Sequence, residues 1–334
     1  MILFWVLTAL FLFLVPGSYL LPRLLGPLLW RSRGFTFPAR DPSLLILIPA
    51  HNEERLILYT LRSIRESAAK WEGQLKIVVG ADSCTDRTME IVKNEGVEVL
   101  PFSFRSKWKT LVELVRVHSE QSWIGLVDAG TEWPQSLLSD LNQLWTNQNL
   151  AGIAPAYYPQ NASKFERLLW SLEAFFKSSE NRLGGPVSVH GACVFYRAEA
   201  VREAMALLRK RDVWLNDDVA IPLAIRILFP EAAMLYWNPR EKGRRISDRG
   251  LRELAGQLVR RRRMVMGNWE WIISLFPLAM KRSPAAAAVC VRRIFRMFWA
   301  YWILMILSIP CFFLTLSWIW PTYSAVLALL ILSL

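Results

Sequence analysis

Four acids in this 334-residue chain stand where a carboxylate can do chemistry. Asp82 and Asp128 end the apolar runs "LKIVVGAD" and "WIGLVD", as buried strands do when they deliver an acid to a sheet edge. Asp217 and Asp218 are paired at the start of "LNDDVAIPLAIRI". Arginines 260–263 form a run, "RRRR". Acids set against arginines suit a metal-bound diphosphate: the acids hold the cation, while cation and arginines neutralise charge developing on a leaving group. Other chemistries lack their residues. Three histidines (His51, His118, His190) are too few for histidine-rich metal sites, and there is no Walker A loop, GxGxxG, HExxH or GxSxG. The four cysteines form no CxxC pair, which argues against zinc and fits a reduced compartment.

The elements that must position these acids are legible from residue 41 to 280. "LLILIP" (44–49) is a short continuous apolar run, the mark of a strand buried on both faces. Asn52-Glu53-Glu54 opens a helix with Ile57, Leu61 and Ile64 at helical spacing. Strands follow at 75–80, 97–100 and 123–128, with a helix after "CTDRT". Further on, Phe165, Leu168, Leu172 and Phe175 share a helical face. "VSVHGACVFYR" is a strand interrupted at Gly191, and "AMLYW" (233–237) is another. Strands alternating with helices argue for an α/β fold with a mostly parallel central sheet. Ligands bind such sheets beyond the carboxyl ends of the strands, where His51, Asp82 and Asp128 fall.

In order, "ILIPAHNEERLI", "VVGADSCTDRT", "SKWKTL", "GLVDAGTEWP", "GACVFYR", "LNDDVAIPL" and "RRRRMVMG" resemble the motifs of family 2 inverting glycosyltransferases of the GT-A fold. The resemblance covers roughly residues 42–270, and the apolar ends make the chain similar to the membrane-bound branch with polysaccharide synthases and glycolipid glucosyltransferases. It implies a UDP-sugar donor and Mg²⁺ or Mn²⁺. Pro49, His51, Glu53 and Asp82 would hold the nucleotide, with Asp82 accepting from uracil. Lys107 would lie near the diphosphate, and Asp128 would serve sugar and metal. Arg263, or Arg260 in an alternative register, would meet the diphosphate; Gly191 and Asp217 would face the acceptor. Asp218 would be the general base, taking the acceptor hydroxyl's proton as its oxygen attacks the anomeric carbon opposite UDP.

Each role has a structural competitor. Asp86 and Thr88 suit a helix cap, Asp82 a turn, Asp217 the positive end of a helix, and His190 a packed interior. Two departures stand out. Gly130 replaces the second acid of the DxD motif, and Met264 (Arg261 in the other register) stands where QxxRW has tryptophan. The second loss weakens a processive reading.

Composition frames the rest. The chain is 53% hydrophobic with net charge +12, and residues 1–22 and 297–334 carry no charge. A bilayer core needs about 20 apolar residues in a helix, so a signal anchor at 1–22 and a span plus a short returning piece at 297–334 are expected. Without a basic n-region or small-residue cleavage site, the first stretch does not read as a secretory signal. Arg23, Arg31, Arg33 and Arg40 after it, and Arg282, Arg292, Arg293 and Arg296 before the second, place the flanks in the cytosol by the positive-inside rule. Residues 268–296 would then form an amphipathic interface segment, with Trp269 and Trp271 at headgroup depth. No nucleic-acid-binding signature accompanies the positive charge. The expectation is a multi-pass membrane glycosyltransferase with a cytosolic catalytic domain, 41–267, acting on a lipid-linked or polysaccharide acceptor. A processive synthase subunit and a non-catalytic scaffold partner are the rivals.

Overall fold

The computed structural model describes residues 34–297 apart from 119–120, 160–162 and 249–253, together with 24, 26 and 28–30. The side chains of 165 and 254–261 are outside the description. A seven-stranded sheet organises the chain, in the order β3-β2-β1-β4-β7-β6-β8. Its parallel half comprises β1 (Ser43–Ala50), β2 (Gln74–Asp82), β3 (Glu98–Phe102) and β4 (Trp123–Val127). A two-residue strand, β5 (Thr131–Glu132), lies outside it and pairs with a later one. β6 (Leu150–Pro155), β7 (Cys193–Arg197) and β8 (Ala233–Trp237) complete the sheet. β7 runs antiparallel to both β4 and β6, while β8 is parallel to β6. Ser247–Asp248, β9, is the partner of β5.

The continuous apolar run of β1 is explained by its two covered faces. Leu44, Ile46 and Ile48 pack on one side with Ile57, Leu61 and Ile64 of helix α1 (Ile57–Ala68) and with Trp133, Trp145 and Phe195. Leu45 and Leu47 face the other side, against Trp108, Leu111 and Leu114 of a later helix. Full burial of each Leu or Ile is worth about 1.5–3 kcal/mol, so a polar residue on either face of this strand would be costly.

The helices that matter to the site are α2 (Thr88–Asn94), α3 (Lys107–Val117), α4 (Lys164–Glu180), α5 (Ala198–Leu208), α6 (Asp217–Leu228), α7 (Leu254–Ser274) and α8 (Phe276–Arg282). A helical segment, 284–297, follows. α1 starts at Ile57 rather than at Asn52, because Asn52 sits at φ 55° and the Glu53 carbonyl is the first acceptor, taking the N–H groups of Leu56 and Ile57. Residues 187–192 are a loop, and the strand begins at Cys193.

The expectation of a multi-pass membrane protein is corrected: among the described residues no helix is long and apolar enough to cross a membrane. The longest, α7, has 21 residues but carries Arg260–Arg263, and α4, with 17, is charged throughout its length. The stretches 1–22 and 297–334 on which that expectation rested lie, but for Met297, outside the described residues. The arginines taken as membrane flanks also behave differently. Arg292 is 6% exposed and ion-paired with Glu180, and Arg296 is paired with Glu173. Trp269 is exposed, whereas Trp271 is fully buried and donates its indole N–H to Asn268 Oδ1 at 3.0 Å.

Candidate functional site

Parallel pairing brings the carboxyl ends of β1, β2 and β4 to one edge. Because β7 runs the other way, the loop that leads into it arrives at the same edge, and the Asp128 N–H donates to the Ala192 carbonyl at 3.0 Å. A cavity of about 1510 Å³ opens there. That exceeds the room one small ligand needs, roughly 300–1,000 Å³, and leaves space for a donor and an acceptor together.

One side of the cavity is two loops laced together. His51 Nδ1 lies 2.7 Å from the Asp82 carbonyl. The Glu53 N–H donates to Thr88 Oγ1 at 2.8 Å, and the Glu54 N–H to Asp86 Oδ2 at 3.0 Å. Asp86 therefore joins the β1 and β2 loops as well as accepting from the Thr88 N–H at 3.0 Å. Glu53 is a carboxyl pushed above its ordinary range by burial, then by Asp128 and Asp86.

Asp82 is buried, and its carboxylate shapes the next loop. Oδ1 accepts from the Arg105 N–H at 2.9 Å and Oδ2 from the Ser106 N–H at 2.7 Å. Burial opposes its charge, but the Ser106 and Arg105 donors win and hold it below the usual carboxylate range. Ser106 is also the N-cap of α3, accepting from the Lys109 N–H at 3.4 Å. Asp82 thereby fixes where Lys107 begins its helix.

The centre is a three-way charge cluster. Lys107 Nζ lies 2.7 Å from Asp128 Oδ1 and 3.1 Å from Asp217 Oδ2. Burial works against the ammonium, yet the two carboxylates lift its pKa above the ordinary lysine range. Asp218 follows at the first turn of α6, where the helix's positive end favours an anion. Its carboxyl is nevertheless raised by burial and then by Asp217, against the pull of Arg293, Lys107 and Lys177. Its backbone carbonyl accepts from the Val189 N–H at 2.9 Å. Gly191 lies between the acids: a Cβ there would stand 3.5 Å from Asp128 Oδ2 and 3.9 Å from Asp218 Cβ.

α7 closes the far side. A Cβ at Gly267 would come 2.5 Å from the Asn216 side chain, so only glycine lets the helix dock this closely beside the acid pair. Asn216 Nδ2 then donates to the Met264 carbonyl at 3.0 Å, and Arg263 lines the cavity one turn away.

Scanned against protein families, residues 42–235 match the model described as glycosyltransferase-like family 2. The chain belongs to this family. It is a glycosyltransferase of the GT-A fold with a mostly parallel central sheet. Its structure is similar to the mannosyltransferase PcManGT from Pyrobaculum calidifontis, solved with GDP-Man and Mn²⁺, at 16% identity and a TM-score of 0.60, over 98% of this chain and 96% of that one. Glucosyl-3-phosphoglycerate synthase from Mycobacterium tuberculosis, solved with Mn²⁺, UDP and phosphoglyceric acid, is also 16% identical, with a TM-score of 0.46 over 66% and 75% of the two chains. No curated protein matches the sequence.

The glycosyltransferase brings together most of the residues singled out by sequence. Pro49, His51, Glu53, Asp82, Lys107, Asp128, Gly191, Asp217, Asp218 and Arg263 all line the cavity. The side chain of Arg260 lies outside the described residues. Lys109 points away to Asp212 at 3.0 Å and Trp108 is core. His190 stacks on Tyr157, ring centres 3.8 Å apart, and accepts from the Ala192 N–H, a packed role that still faces the cavity. Sequence reading missed Lys177, Arg293 and Arg296, which line the same cavity. Lys177 sits three residues after Ala174 of the buried core on α4, a phase that marks an inward lysine.

Gly130 accounts for the missing second acid. It adopts φ 89°, its N–H donates to Thr60 Oγ1 at 2.8 Å, and a Cβ would meet Leu56 Cδ1 at 3.1 Å. The turn after Asp128 is built on a left-handed residue, which a side chain strains. Among the described residues no three His, Cys, Asp or Glu side chains form a metal-holding group.

Proposed function

We propose that the protein transfers one sugar from a UDP-sugar to a hydroxyl of a lipid-linked acceptor, with inversion. The observation that carries this reading is the meeting of Lys107, Asp128, Asp217, Asp218 and Arg263 in one cavity at the carboxyl edge of the sheet. The nucleotide lies along the β1 and β2 loops. Lys107 and Arg263 neutralise the diphosphate, and Asp128 orients the sugar. Asp218 takes the proton of the attacking hydroxyl while a bond forms from that oxygen to the anomeric carbon. The bond from that carbon to the diphosphate oxygen breaks, and its electrons leave with UDP. An α-linked donor gives a β-linked product.

A divalent cation fits this donor set in a limited way. Asp128 Oδ1 is held by Lys107, while Oδ2 faces the open ground beside Gly191. One carboxylate oxygen is enough for Mg²⁺ or Mn²⁺ when diphosphate oxygens and water complete the shell. Bound there, the cation would help neutralise the leaving diphosphate.

The acceptor class rests on the apolar part of the cavity wall. Leu169, Leu172 and Phe176 of α4, Met264 of α7 and Phe295 of the 284–297 segment line it. Leu172 and Met264 are each 43% exposed, apolar surface that a hydrocarbon chain would cover. The test is a screen of UDP-sugars and GDP-sugars with the full chain in detergent, reading nucleotide release with Mg²⁺, with Mn²⁺ and with chelator. One UDP-sugar should turn over, and chelator should slow it. Failure of every nucleotide sugar to bind or turn over would favour the scaffold reading.

A further inference from the structure

The wall of the cavity behind Asp218 is built from cations that the transfer chemistry leaves unused. Lys177 reaches it from α4, and Arg293 and Arg296 reach it from the 284–297 segment. Arg296 is ion-paired with Glu173; Lys177 Nζ lies 3.6 Å from the same carboxylate and 5.9 Å from the centre of the Tyr236 ring. Arg293 Nη1 donates to Ser188 Oγ at 2.7 Å, while its Nε is buried with no hydrogen-bond partner among the described residues. Arg292, behind them, is paired with Glu180. Among the described residues, Glu173 and Glu180 are the carboxylates ion-paired with Lys177, Arg292 and Arg296, whereas Arg293 is held by a neutral hydroxyl, and Asp218, whose charge it faces, is the base itself.

This cluster sits beside the reacting centre. Ser188, which holds Arg293, directly precedes Val189, whose N–H donates to the Asp218 carbonyl. A buried guanidinium with an unpartnered nitrogen, as at Arg293 Nε, is costly, and an anionic ligand would supply the missing acceptor. Burial, followed by Arg293, presses Lys177 down to about 7, with Asp218 opposing and Arg292 adding. A guanidinium that can give two parallel N–H bonds, joined by an ammonium from another helix, matches a tetrahedral phosphate.

We propose that Lys177 and Arg293, with Arg296 alongside, form a subsite for a phosphate group carried by the acceptor, seating its attacking hydroxyl against Asp218. This rests on the transfer reading above and names the substrate class of the same site.

The test measures binding to the full chain in detergent, loaded with UDP. The probes are 1-decanoylglycerol 3-phosphate, its uncharged parent 1-decanoylglycerol, and glycerol 3-phosphate. The phosphorylated lipid should bind at least about tenfold more tightly than its parent, and Lys177→Met and Arg293→Met should each remove most of that preference. UDP affinity should stay unchanged in both variants. Arg296→Gln, on a side chain 35% exposed, should weaken the preference about threefold and serves if the buried variants do not fold. Glycerol 3-phosphate binding as well as the lipid would assign the phosphate to a soluble acceptor; binding poorly, to a lipid. Phosphate probes that bind no better than the uncharged lipid, or variants that keep the preference, overturn the subsite. If UDP fails to bind while the phosphate preference persists, the transfer reading falls and with it the acceptor role, and what stands is a phosphate-binding site at Lys177 and Arg293.

Discussion

The Lys107 ammonium rests 2.7 Å from Asp128 Oδ1, and the same nitrogen reaches Asp217 at 3.1 Å. One cation therefore ties the end of β4 to the start of α6, joining the donor side of the cavity to the acid pair. Without it, Asp128 and Asp217 would face each other as uncompensated like charges.

Asp128 is the acid the β4 strand delivers to the cavity, whereas Glu132 lies in β5, paired with Ser247 of β9. Asp128→Ala should cut turnover on the order of 10²-fold, and Glu132→Ala should leave it within about twofold. Steady-state UDP release with the two variants checks this. The reverse order would remove Asp128 from its assigned role.

The pH profile of kcat should carry an acidic limb set by Asp218. Burial and Asp217 raise its carboxyl, and a general base must be ionised, so turnover should rise as pH climbs through a value above the ordinary carboxylate range. Asp217→Asn deletes the second of the raising causes, and the limb should move to lower pH. A limb that stays in place or moves up would show that the titrating group is not this one.

Asp82→Ala should act on folding and on donor binding together. The substitution leaves the N–H groups of Arg105 and Ser106 without their acceptor at the entrance to α3, a loss of about 1–3 kcal/mol. Because the native Asp82 pKa is lowered, its contribution is fully present above the unfolded carboxylate's pKa and is lost as pH falls through the lower, native one. Thermal melts of wild type and variant should thus converge in acid. An unchanged melting temperature at neutral pH would contradict the assignment.

Gly267→Ala probes the docking of α7. The added methyl meets Asn216 at 2.5 Å, so the helix must shift, and overpacking of this kind costs about 1–3 kcal/mol. The KM for the donor should rise, since Arg263 moves with the helix, whereas Val265→Ala on the exposed side should change neither stability nor KM.

How much of this was legible in the chain depends on the kind of signal. β1 announced itself because both faces are buried, and Asp82 and Asp128 because each ends such a run. Asp217 and Asp218 were placed at a helix start by adjacency alone, and α6 begins there. Phe175, Leu168 and Leu172 shared a helical face as the spacing said, but that face is exposed, since periodicity reports a stripe and not what covers it. Arg292, Arg293 and Arg296 were misread for a related reason: next to a long apolar stretch, local sequence cannot tell a lipid-flanking arginine from one folded back 105 residues to Ser188, as Arg293 is. The left-handed turn at Gly130 and the close approach at Gly267 are backbone facts, visible in sequence only as glycines.

The central claim is that Asp218 removes the acceptor's proton. The direct measurement is Asp218→Asn, assayed for sugar transfer from the productive donor and, separately, for UDP binding by calorimetry. Transfer should fall at least about 10²-fold, while UDP affinity stays close to that of the wild type. Substantial residual transfer by the variant, with UDP bound normally, would contradict the account.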